Sequence, residues 1–247
     1  MDRTYWEKIA PGYNEEIFDV LKNDAKGLIV KAIRKYSSKE KKVIDIGCAI
    51  GKWLPVLSPI FKKVIAVDIS AENLAIAKNL YPKLSNVEYV RANMSSPKLA
   101  LPACDVGVCI NAILTDDLKK RNYFFSNLKK CIKKNGQLIL VIPSLESSML
   151  ASVIRQRWNP DKDAHSYISS SKKKNQFKNL LQGNAEIDNV PTKHYLKEEL
   201  EILLSEEGFQ PIRFSKIEYD WSTEFLKPLK WLNKPKPWDW LVVATRS

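Results

Sequence analysis

The most informative stretch of the chain reads Val43-Ile-Asp-Ile-Gly-Cys-Ala-Ile-Gly-Lys-Trp53. Its first four residues are a short run rich in β-branched side chains and closed by Gly47, which predicts a buried strand that turns into a helix. Gly47 and Gly51 would let the backbone approach a ligand closely, because glycine has no side chain. In open α/β sheets, ligands bind beyond the carboxyl ends of the strands. The stretch therefore predicts a binding turn after the first strand.

Further short apolar runs follow this strand, and helical stretches separate most of them. They lie at 64–67, 87–90, 106–110, 138–142, 212–217 and 241–244. Alternating strands and helices predict a mostly parallel sheet with helices on both faces. The run at 138–142 is apolar throughout, as strands covered on both faces are. We therefore expect a doubly wound α/β fold with seven strands.

Two acidic residues indicate the type of ligand. Asp45 precedes the glycine turn, where it would be poorly placed beside a pyrophosphate and suits a ligand with a positive ammonium group. The turn also lacks the GxGxxG spacing of dinucleotide binders, which argues against NAD. Asp68 ends the next strand, roughly 20 residues on, where an acid can bind both hydroxyls of a ribose. The alternative role of Asp68 is that of an acid beside the helix N-cap Ser70.

Composition limits the cellular compartment and the binding partners that we expect. The chain shows no signal-peptide core and no run near the roughly 20 apolar residues of a membrane helix, so we expect a cytoplasmic protein without an integral membrane segment. Its four cysteines form no CxxC pair, and we expect reduced thiols. The net charge of +12 would suit RNA. The lysines are scattered, however, so a solvated lysine-rich face is our first interpretation and a polyanion-binding surface the alternative.

The motifs resemble those of class I S-adenosylmethionine-dependent methyltransferases. The segment from Asp45 to Gly51 is similar to their acidic-x-Gly-x-Gly-x-Gly motif, with Ala49 at the middle glycine. The segment 64–70 resembles the second motif, 90–94 the third and 105–113 the fourth. The resemblance implies S-adenosylmethionine as cofactor and a Rossmann-like sheet with an antiparallel last strand.

The resemblance also implies roles for single residues. Asn93 would accept a hydrogen bond from the adenine amino group, where the family usually has an acid, and Asn111 would end the strand beside the transferred methyl group. The N-terminal segment is similar to the cap of small-molecule members, in which an aromatic residue equivalent to Tyr13 reaches the cofactor's carboxylate. Tyr13 could instead pack between helices. The expected cofactor-binding residues are Tyr13, Asp45, Gly47, Cys48, Ala49, Gly51, Asp68, Ile69, Asn93, Met94 and Asn111.

Four parts of a single domain at 1–247 are expected: a helical cap at 1–40, a cofactor-binding core at 41–143, a variable insertion at 144–193, and a helix with two strands at 194–247. We expect the cap and the insertion together to roof the cofactor. The candidate substrate contacts are Tyr5, Trp6 and Tyr195.

The chain has two histidines, His165 and His194, and each is a candidate general base as well as a candidate structural residue. A base is needed only if the acceptor's proton must leave early, since positioning can supply much of the rate. Neither histidine has the spacing of a metal ligand, and no metal is expected.

The expected function is methyl transfer to a small or medium-sized molecule. One alternative is methylation of RNA or protein, which the charge favours, and another is non-catalytic binding of S-adenosylmethionine. The segment after Asn111 lacks the Pro-Pro-aromatic signature of adenine methylation, which argues against that reaction. The aromatic, lysine-rich segment 221–240 has four open interpretations: an acceptor-pocket wall, a platform for single-stranded RNA, a membrane-interface contact, or a loop packed back on the sheet.

Overall fold

The computed structural model describes residues 3–13, 17–160, 182–187 and 190–247. Within these ranges the strands form one seven-stranded sheet and a separate two-stranded hairpin. The strands are β1 (Lys42–Ile46), β2 (Lys63–Asp68), β3 (Val87–Arg91), β4 (Cys104–Ile110), β5 (Ile132–Pro143), β6 (Asn184–Ile187), β7 (Val190–Lys193), β8 (Phe209–Glu218) and β9 (Trp238–Arg246). The α-helices are α1 (Arg3–Ile9), α2 (Val20–Asn23), α3 (Leu28–Tyr36), α4 (Leu54–Leu57), α5 (Ala71–Leu80), α6 (Leu118–Lys130), α7 (Leu145–Trp158) and α8 (Lys197–Glu206). Short 3-10 helices lie at Ala10–Gly12 and Trp221–Thr223.

The large sheet has the strand order β3-β2-β1-β4-β5-β9-β8. Strands β1 to β5 pair in parallel, whereas β9 runs antiparallel to both β5 and β8. The expected mostly parallel seven-stranded sheet with an antiparallel last strand is confirmed. Strands β1 to β3 are added toward one side of the sheet, and β4 and β5 toward the other side. Such a switch point, here between β1 and β4, leaves a crevice at the carboxyl ends of the two strands.

The sheet is covered on both faces because its central strands are apolar on both sides. In β1, Ile44 and Ile46 pack into one core, together with Phe125 of α6 and Leu200 of α8. Val43 faces the opposite core, which also contains side chains of α3 and α5. This alternation follows from the two-residue repeat of side-chain direction along a strand.

Helices near the N-terminus differ from the sequence-based expectation. The apolar residues that recur at three- and four-residue steps between residues 5 and 36 predict a helical segment with a break at Pro11-Gly12. The structure divides the described part of this segment into three α-helices, because Asp19 caps α2 through Lys22 N–H and Gly27 adopts a φ of +60° before α3. Ser70 caps α5 as predicted, accepting a hydrogen bond from Asn73 N–H.

Two elements in the expected insertion were not predicted. Helix α7 begins at the N-cap Ser144, whose hydroxyl oxygen accepts a hydrogen bond from Ser147 N–H. Its apolar pattern is weak because it exposes Met149 and Val153 to solvent. The β6–β7 hairpin is held by pairing between its own strands.

The aromatic segment 221–240 is buried mainly at its two ends, against α7 at one end and within β9 at the other. Trp221, Phe225, Trp238 and Trp240 are buried, whereas Trp231 is exposed. All four cysteines are buried free thiols. None of the helices in the described ranges has the length and apolarity that a bilayer crossing requires.

Candidate functional site

A cavity of about 330 Å³ lies at the carboxyl ends of the parallel strands. Its walls come from the segments that follow β1, β2, β3 and β4, and from the N-terminal segment. The lining consists of Arg3, Thr4, Trp6, Tyr13, Gly47, Ala49, Val67, Asp68, Ile69, Asn73, Ala92, Asn93, Met94, Ser95, Ile110, Asn111, Ala112, Leu114, Thr115, Lys120 and Phe124. Most of the predicted cofactor-binding residues are therefore brought together in one space.

The turn after β1 requires glycine at its first position. Gly47 has a φ of +74°, and a Cβ atom there would lie 2.4 Å from the Cβ of Ala112. Ala49 also has a positive φ, +47°, which is costly for a residue with a side chain. Its N–H donates to Asp68 Oδ2 at 2.9 Å, so the second acid holds the turn where the family motif has glycine.

Gly51 and Cys48 belong to the packing around the turn and do not line the cavity. A Cβ atom at Gly51 would lie 2.7 Å from Leu54 Cδ1 and 3.1 Å from Ala77 Cβ, so this glycine permits the close approach of the turn to α5. The Cys48 thiol is buried, and burial raises its pKa.

Asp68 is both a structural and a cavity-lining residue. Its Oδ1 accepts hydrogen bonds from Ser70 N–H at 2.8 Å and from the Asn73 side chain at 3.4 Å. Burial raises the pKa of Asp68, while these hydrogen bonds and that from Ala49 oppose the rise. A carboxylate has about four acceptor positions, and these three hydrogen bonds leave one of them, on Oδ2, for a donor in the cavity. The expectation of an acid beside the Ser70 cap and that of a ligand-binding acid are thus compatible.

Asp45 is a buried carboxyl group without full hydrogen bonding. It is 2% exposed, and its Oδ2 has no partner among the described residues. Burial raises the pKa of Asp45 to about 7, and the nearby charge of Asp68 contributes. Asp45 lies behind the cavity wall. A buried carboxylate is costly unless a positive charge compensates it, so this position favours a cationic neighbour.

The segment after β3 is anchored from a helix. Asn93 lines the cavity, and its side-chain oxygen already accepts a hydrogen bond from Ser95 N–H at 2.9 Å, which leaves one acceptor position. The Asn127 side chain donates to the carbonyl oxygens of Met94 and Ser96 at 2.9 and 2.7 Å. Asn127 was not anticipated, because an asparagine inside a helix carries no local sign of a contact 31 residues away.

A buried polar network lies at the end of β4. The Asn111 side-chain N–H donates to Asp239 Oδ2 at 2.9 Å, and the Tyr219 hydroxyl donates to the same oxygen at 2.9 Å. Burial raises the pKa of Asp239. Asn111 has a φ of +47°, and its side-chain oxygen has no partner among the described residues. The network therefore fixes the amide group of Asn111, a residue of the cavity wall.

Helix α1 is fastened across the start of α5. Glu7 accepts hydrogen bonds from Ala71 N–H, Glu72 N–H and the Ser70 hydroxyl at 3.1 to 3.2 Å. The hydrogen bond from Ala71 contributes most to lowering the pKa of Glu7, to about 2. This contact holds Trp6 at the cavity. Sequence analysis missed Glu7 because its partners lie more than 60 residues away.

The roof of the cavity comes from the N-terminal segment. Trp6 and Tyr13 line the cavity with Arg3 and Thr4, whereas Tyr5 does not and instead packs edge-to-face against Trp6, with ring centroids 5.2 Å apart. Burial raises the pKa of Tyr13, so its hydroxyl stays protonated at neutral pH. None of the described residues that line the cavity belongs to the expected insertion at 144–193.

The expected bases and one expected substrate contact lie elsewhere. His194 is buried, its Nδ1 is 2.9 Å from the carbonyl oxygen of Thr192, and burial lowers its pKa. Tyr195 is fully buried against Phe125. Neither lines the cavity, because the bridge between Ser144 and Tyr195 draws this segment into the interior. The structure therefore does not bring the candidate base His194 or the candidate substrate contact Tyr195 to the cavity. His165 lies outside the described residues.

Comparisons with known proteins agree with this geometry. Residues 44–140 match the family model described as "Methyltransferase domain". The mitochondrial ubiquinone biosynthesis O-methyltransferase of Schizosaccharomyces pombe is 30% identical over 118 residues, which are 46% of this chain and 41% of that protein. The chain thus spans less than half the length of this relative.

Solved structures share the fold over most of the chain. A structure titled as an S-adenosylmethionine-dependent methyltransferase from Methanosarcina mazei has a TM-score of 0.61 at 19% identity, covering 87% of this chain and 96% of its own. The N-methyltransferase NodS from Bradyrhizobium japonicum, solved with S-adenosyl-l-homocysteine, has a TM-score of 0.62 at 12% identity, covering 99% of this chain and 97% of its own. Residues 44–140 therefore match a methyltransferase domain, and most of the chain shares the fold of solved S-adenosylmethionine-dependent methyltransferases.

Proposed function

We propose that this protein transfers a methyl group from S-adenosylmethionine to a small or medium-sized molecule. The observation that carries the proposal is the single cavity in which the glycine turn, Asp68 and Asn111 lie under a roof formed by Trp6 and Tyr13. Its volume of about 330 Å³ is that of a small-molecule site. The relative from Schizosaccharomyces pombe bears the name of a ubiquinone biosynthesis O-methyltransferase, which also favours a small molecule.

The residues of the cavity fit this cofactor. Asp68 keeps one acceptor position, on Oδ2, for a ribose hydroxyl, and Asn93 keeps one for the adenine amino group. The unpaired oxygen of buried Asp45 suits a ligand with an ammonium group. Gly47, which packs closely against Ala112, presents backbone and no side chain to the cavity.

When bound, the cofactor supplies a methyl group on a positively charged sulfur that an acceptor can attack. The role of the chain is then to bind, orient and exclude water. Trp6 and Tyr13 cover the cavity, and the Asp239–Tyr219 pair orients the amide of Asn111 at the end of β4. The described part of the lining includes no histidine, so we assign no base role to His194.

The alternative acceptors are RNA and protein side chains, which the net charge of +12 favours. A non-catalytic cofactor-binding protein is the other alternative. One experiment separates the three: the protein is incubated with methyl-labelled S-adenosylmethionine and cell extract, which is then fractionated into metabolites, RNA and protein. We expect label in the metabolite fraction. Label in RNA or protein alone, or no label despite cofactor binding, would overturn the proposal.

The same experiment includes a variant of Asp68, the residue that we propose binds the ribose. Asp68→Ala should weaken binding of S-adenosylhomocysteine by about 1.5–3 kcal/mol, as the loss of charged hydrogen bonds does, and labelling should fall with it. Calorimetry measures the binding, and circular dichroism checks that the variant is folded, since Asp68 also holds Ala49 and Ser70. The control is Asp116→Ala, which removes an exposed carboxylate that does not line the cavity. Equal binding by both variants would remove Asp68 from the site.

A further inference from the structure

An exposed apolar surface lies outside the cavity. Its side chains are Leu226, Trp231 and Trp158, which are 81%, 60% and 43% exposed. The rings of Trp158 and Trp231 meet edge-to-face with centroids 5.3 Å apart, so the end of α7 and the loop between β8 and β9 form one surface. We call these three residues the tryptophan patch. Large side chains that are open to water, two of them in ring contact, indicate an interaction site.

The loop that carries the patch is anchored from beneath. Trp221 and Phe225 are buried with Ala151 and Ile154 of α7, and their rings stack 5.4 Å apart. The guanidinium of Arg155 lies 5.1 Å from the Phe225 ring, and its Nη2 donates to the carbonyl oxygen of Glu224 at 3.0 Å. The exposure of Leu226 directly after Phe225 is therefore imposed by a packed loop.

Positive charge surrounds the patch. Arg157, Lys230 and Lys234 are exposed, and the Arg157 guanidinium lies 5.0 Å from the Trp158 ring. The acidic residues of the loop are compensated or buried. Asp220 pairs with Lys236, and burial raises the pKa of Glu224. Exposed apolar and aromatic side chains among exposed cations are the combination that binds the interface of an anionic membrane.

The position of the patch relates it to the cavity. The loop leaves β8 at Glu218 and enters β9 at Trp238, and these two residues pair with each other. The next residue, Asp239, pairs with Pro143 at the carboxyl end of β5. The loop therefore lies on the same edge of the sheet as the cavity.

From these observations we infer that the tryptophan patch and its basic rim dock the protein on the surface of an anionic lipid bilayer, with the cavity edge of the sheet turned toward the membrane. A single-stranded RNA is less suited to this surface. Leu226, the most exposed side chain of the patch, cannot stack on a base, and the edge-to-face tryptophans offer no pair of parallel faces.

Vesicle flotation with the full chain tests the inference. The vesicles are made either of phosphatidylcholine alone or of phosphatidylcholine mixed with the anionic phosphatidylglycerol. We expect the protein to float with the anionic vesicles and much less with the neutral ones. Leu226→Ser and Trp231→Ala should each lower partitioning by roughly tenfold or more, since each removes a side chain that would be buried in the interface.

Matched controls separate this surface from general stickiness. Ile202→Ser removes an apolar side chain of α8 that is 63% exposed, and it should leave flotation unchanged. Lys230→Glu should lower partitioning by roughly tenfold, because it reverses one charge at the membrane surface. Lys83→Glu makes the same change in the segment before β3, at the opposite edge of the sheet, and should have little effect.

Three results would overturn the inference. The first is no flotation with anionic vesicles. The second is equal loss in Ile202→Ser and Leu226→Ser, which would indicate general hydrophobic adsorption, or equal loss in Lys83→Glu and Lys230→Glu, which would indicate attraction by net charge alone. The third is a loss of single-stranded RNA binding, measured by fluorescence anisotropy, in Trp231→Ala while its vesicle binding persists. That result would identify an RNA surface.

Discussion

Asp45 shows how one buried side chain can make ligand binding depend on pH. Because burial raises the pKa of Asp45 to about 7, this group is partly protonated at neutral pH when no ligand is present. A ligand with an ammonium group favours the ionised carboxylate, so binding must be accompanied by loss of the proton below the pKa. We therefore expect the affinity for S-adenosylhomocysteine to rise with pH up to about 7 and then to level off.

Asp45→Asn should remove this pH dependence and weaken binding above pH 7. Calorimetry between pH 5 and 8 measures the affinity, and the dependence of the heat on the buffer reports the proton released. A wild-type affinity that does not change with pH would show that Asp45 does not sense the ligand's charge.

The pH dependence of the unliganded protein's stability should also reveal the ionisation of Asp45. The folded-state pKa of Asp45 lies above its unfolded value of 3.8, so the folded state binds more protons between these two values. The contribution of Asp45 to the free energy of unfolding is therefore largest at low pH and falls as pH rises from 3.8 to about 7. Urea unfolding of wild type and Asp45→Asn across this range isolates the contribution.

Asp105 is a control, because its pKa is shifted in the opposite direction to that of Asp45. Burial alone would raise the pKa of Asp105, but hydrogen bonds from Lys133 and from Lys42 N–H lower it below its ordinary value. Asp105→Asn should therefore remove stability that is present at neutral pH and is lost on acidification.

At the scale of elements, the docking of α1 on α5 closes the cavity. Glu7 caps the start of α5 from another helix, which places Trp6 over the binding turn. Glu7→Gln should loosen this contact, because an amide is a weaker acceptor than a carboxylate and brings hydrogens toward the N–H groups of Ala71 and Glu72. We expect faster tryptic cleavage after Lys8 and weaker binding of S-adenosylhomocysteine.

The matched control for Glu7 is Glu72→Gln, the same change on the exposed first turn of α5. S-adenosylhomocysteine should protect Lys8 in wild type and less so in Glu7→Gln. Cleavage at Lys8 that is unaffected by both the ligand and the variant would show that α1 does not close the cavity. Deletion of residues 1–13 should leave the sheet folded, since its first strand begins at Lys42, but should weaken cofactor binding.

For the whole molecule, the charge of +12 is the property to be tested. If the lysines form a solvated face, binding to a homopolymeric RNA should be weak at physiological salt and vanish as salt rises, because it depends on counterion release. Anisotropy titrations at several salt concentrations measure this. Turnover of a small-molecule acceptor should not change when the RNA is added. A tight complex that resists salt would instead favour RNA as the acceptor.

The sequence by itself determined the sheet and much of its binding turn. Short apolar runs bounded by glycine and acidic residues are local signals, so the strands around Ile44 and Ile65 and the positions of Gly47 and Asp68 could be read directly. The same holds for the Ser70 cap, whose partner lies three residues away. The doubly wound topology follows from the alternation of strands and helices.

Only the tertiary structure decided which side chains share the cavity. Glu7, Asn127 and Asp239 act through partners between 20 and 128 residues away, and no local pattern reports such contacts. His194 and Tyr195 looked suited to chemistry by residue type, yet the bridge to Ser144 buries them. The exposure of Trp231 in the aromatic segment 221–240 likewise depends on which rings the sheet and α7 cover. Residue type and spacing indicate which chemistry a side chain can perform. Packing between distant segments of the chain decides whether that side chain lies in the cavity.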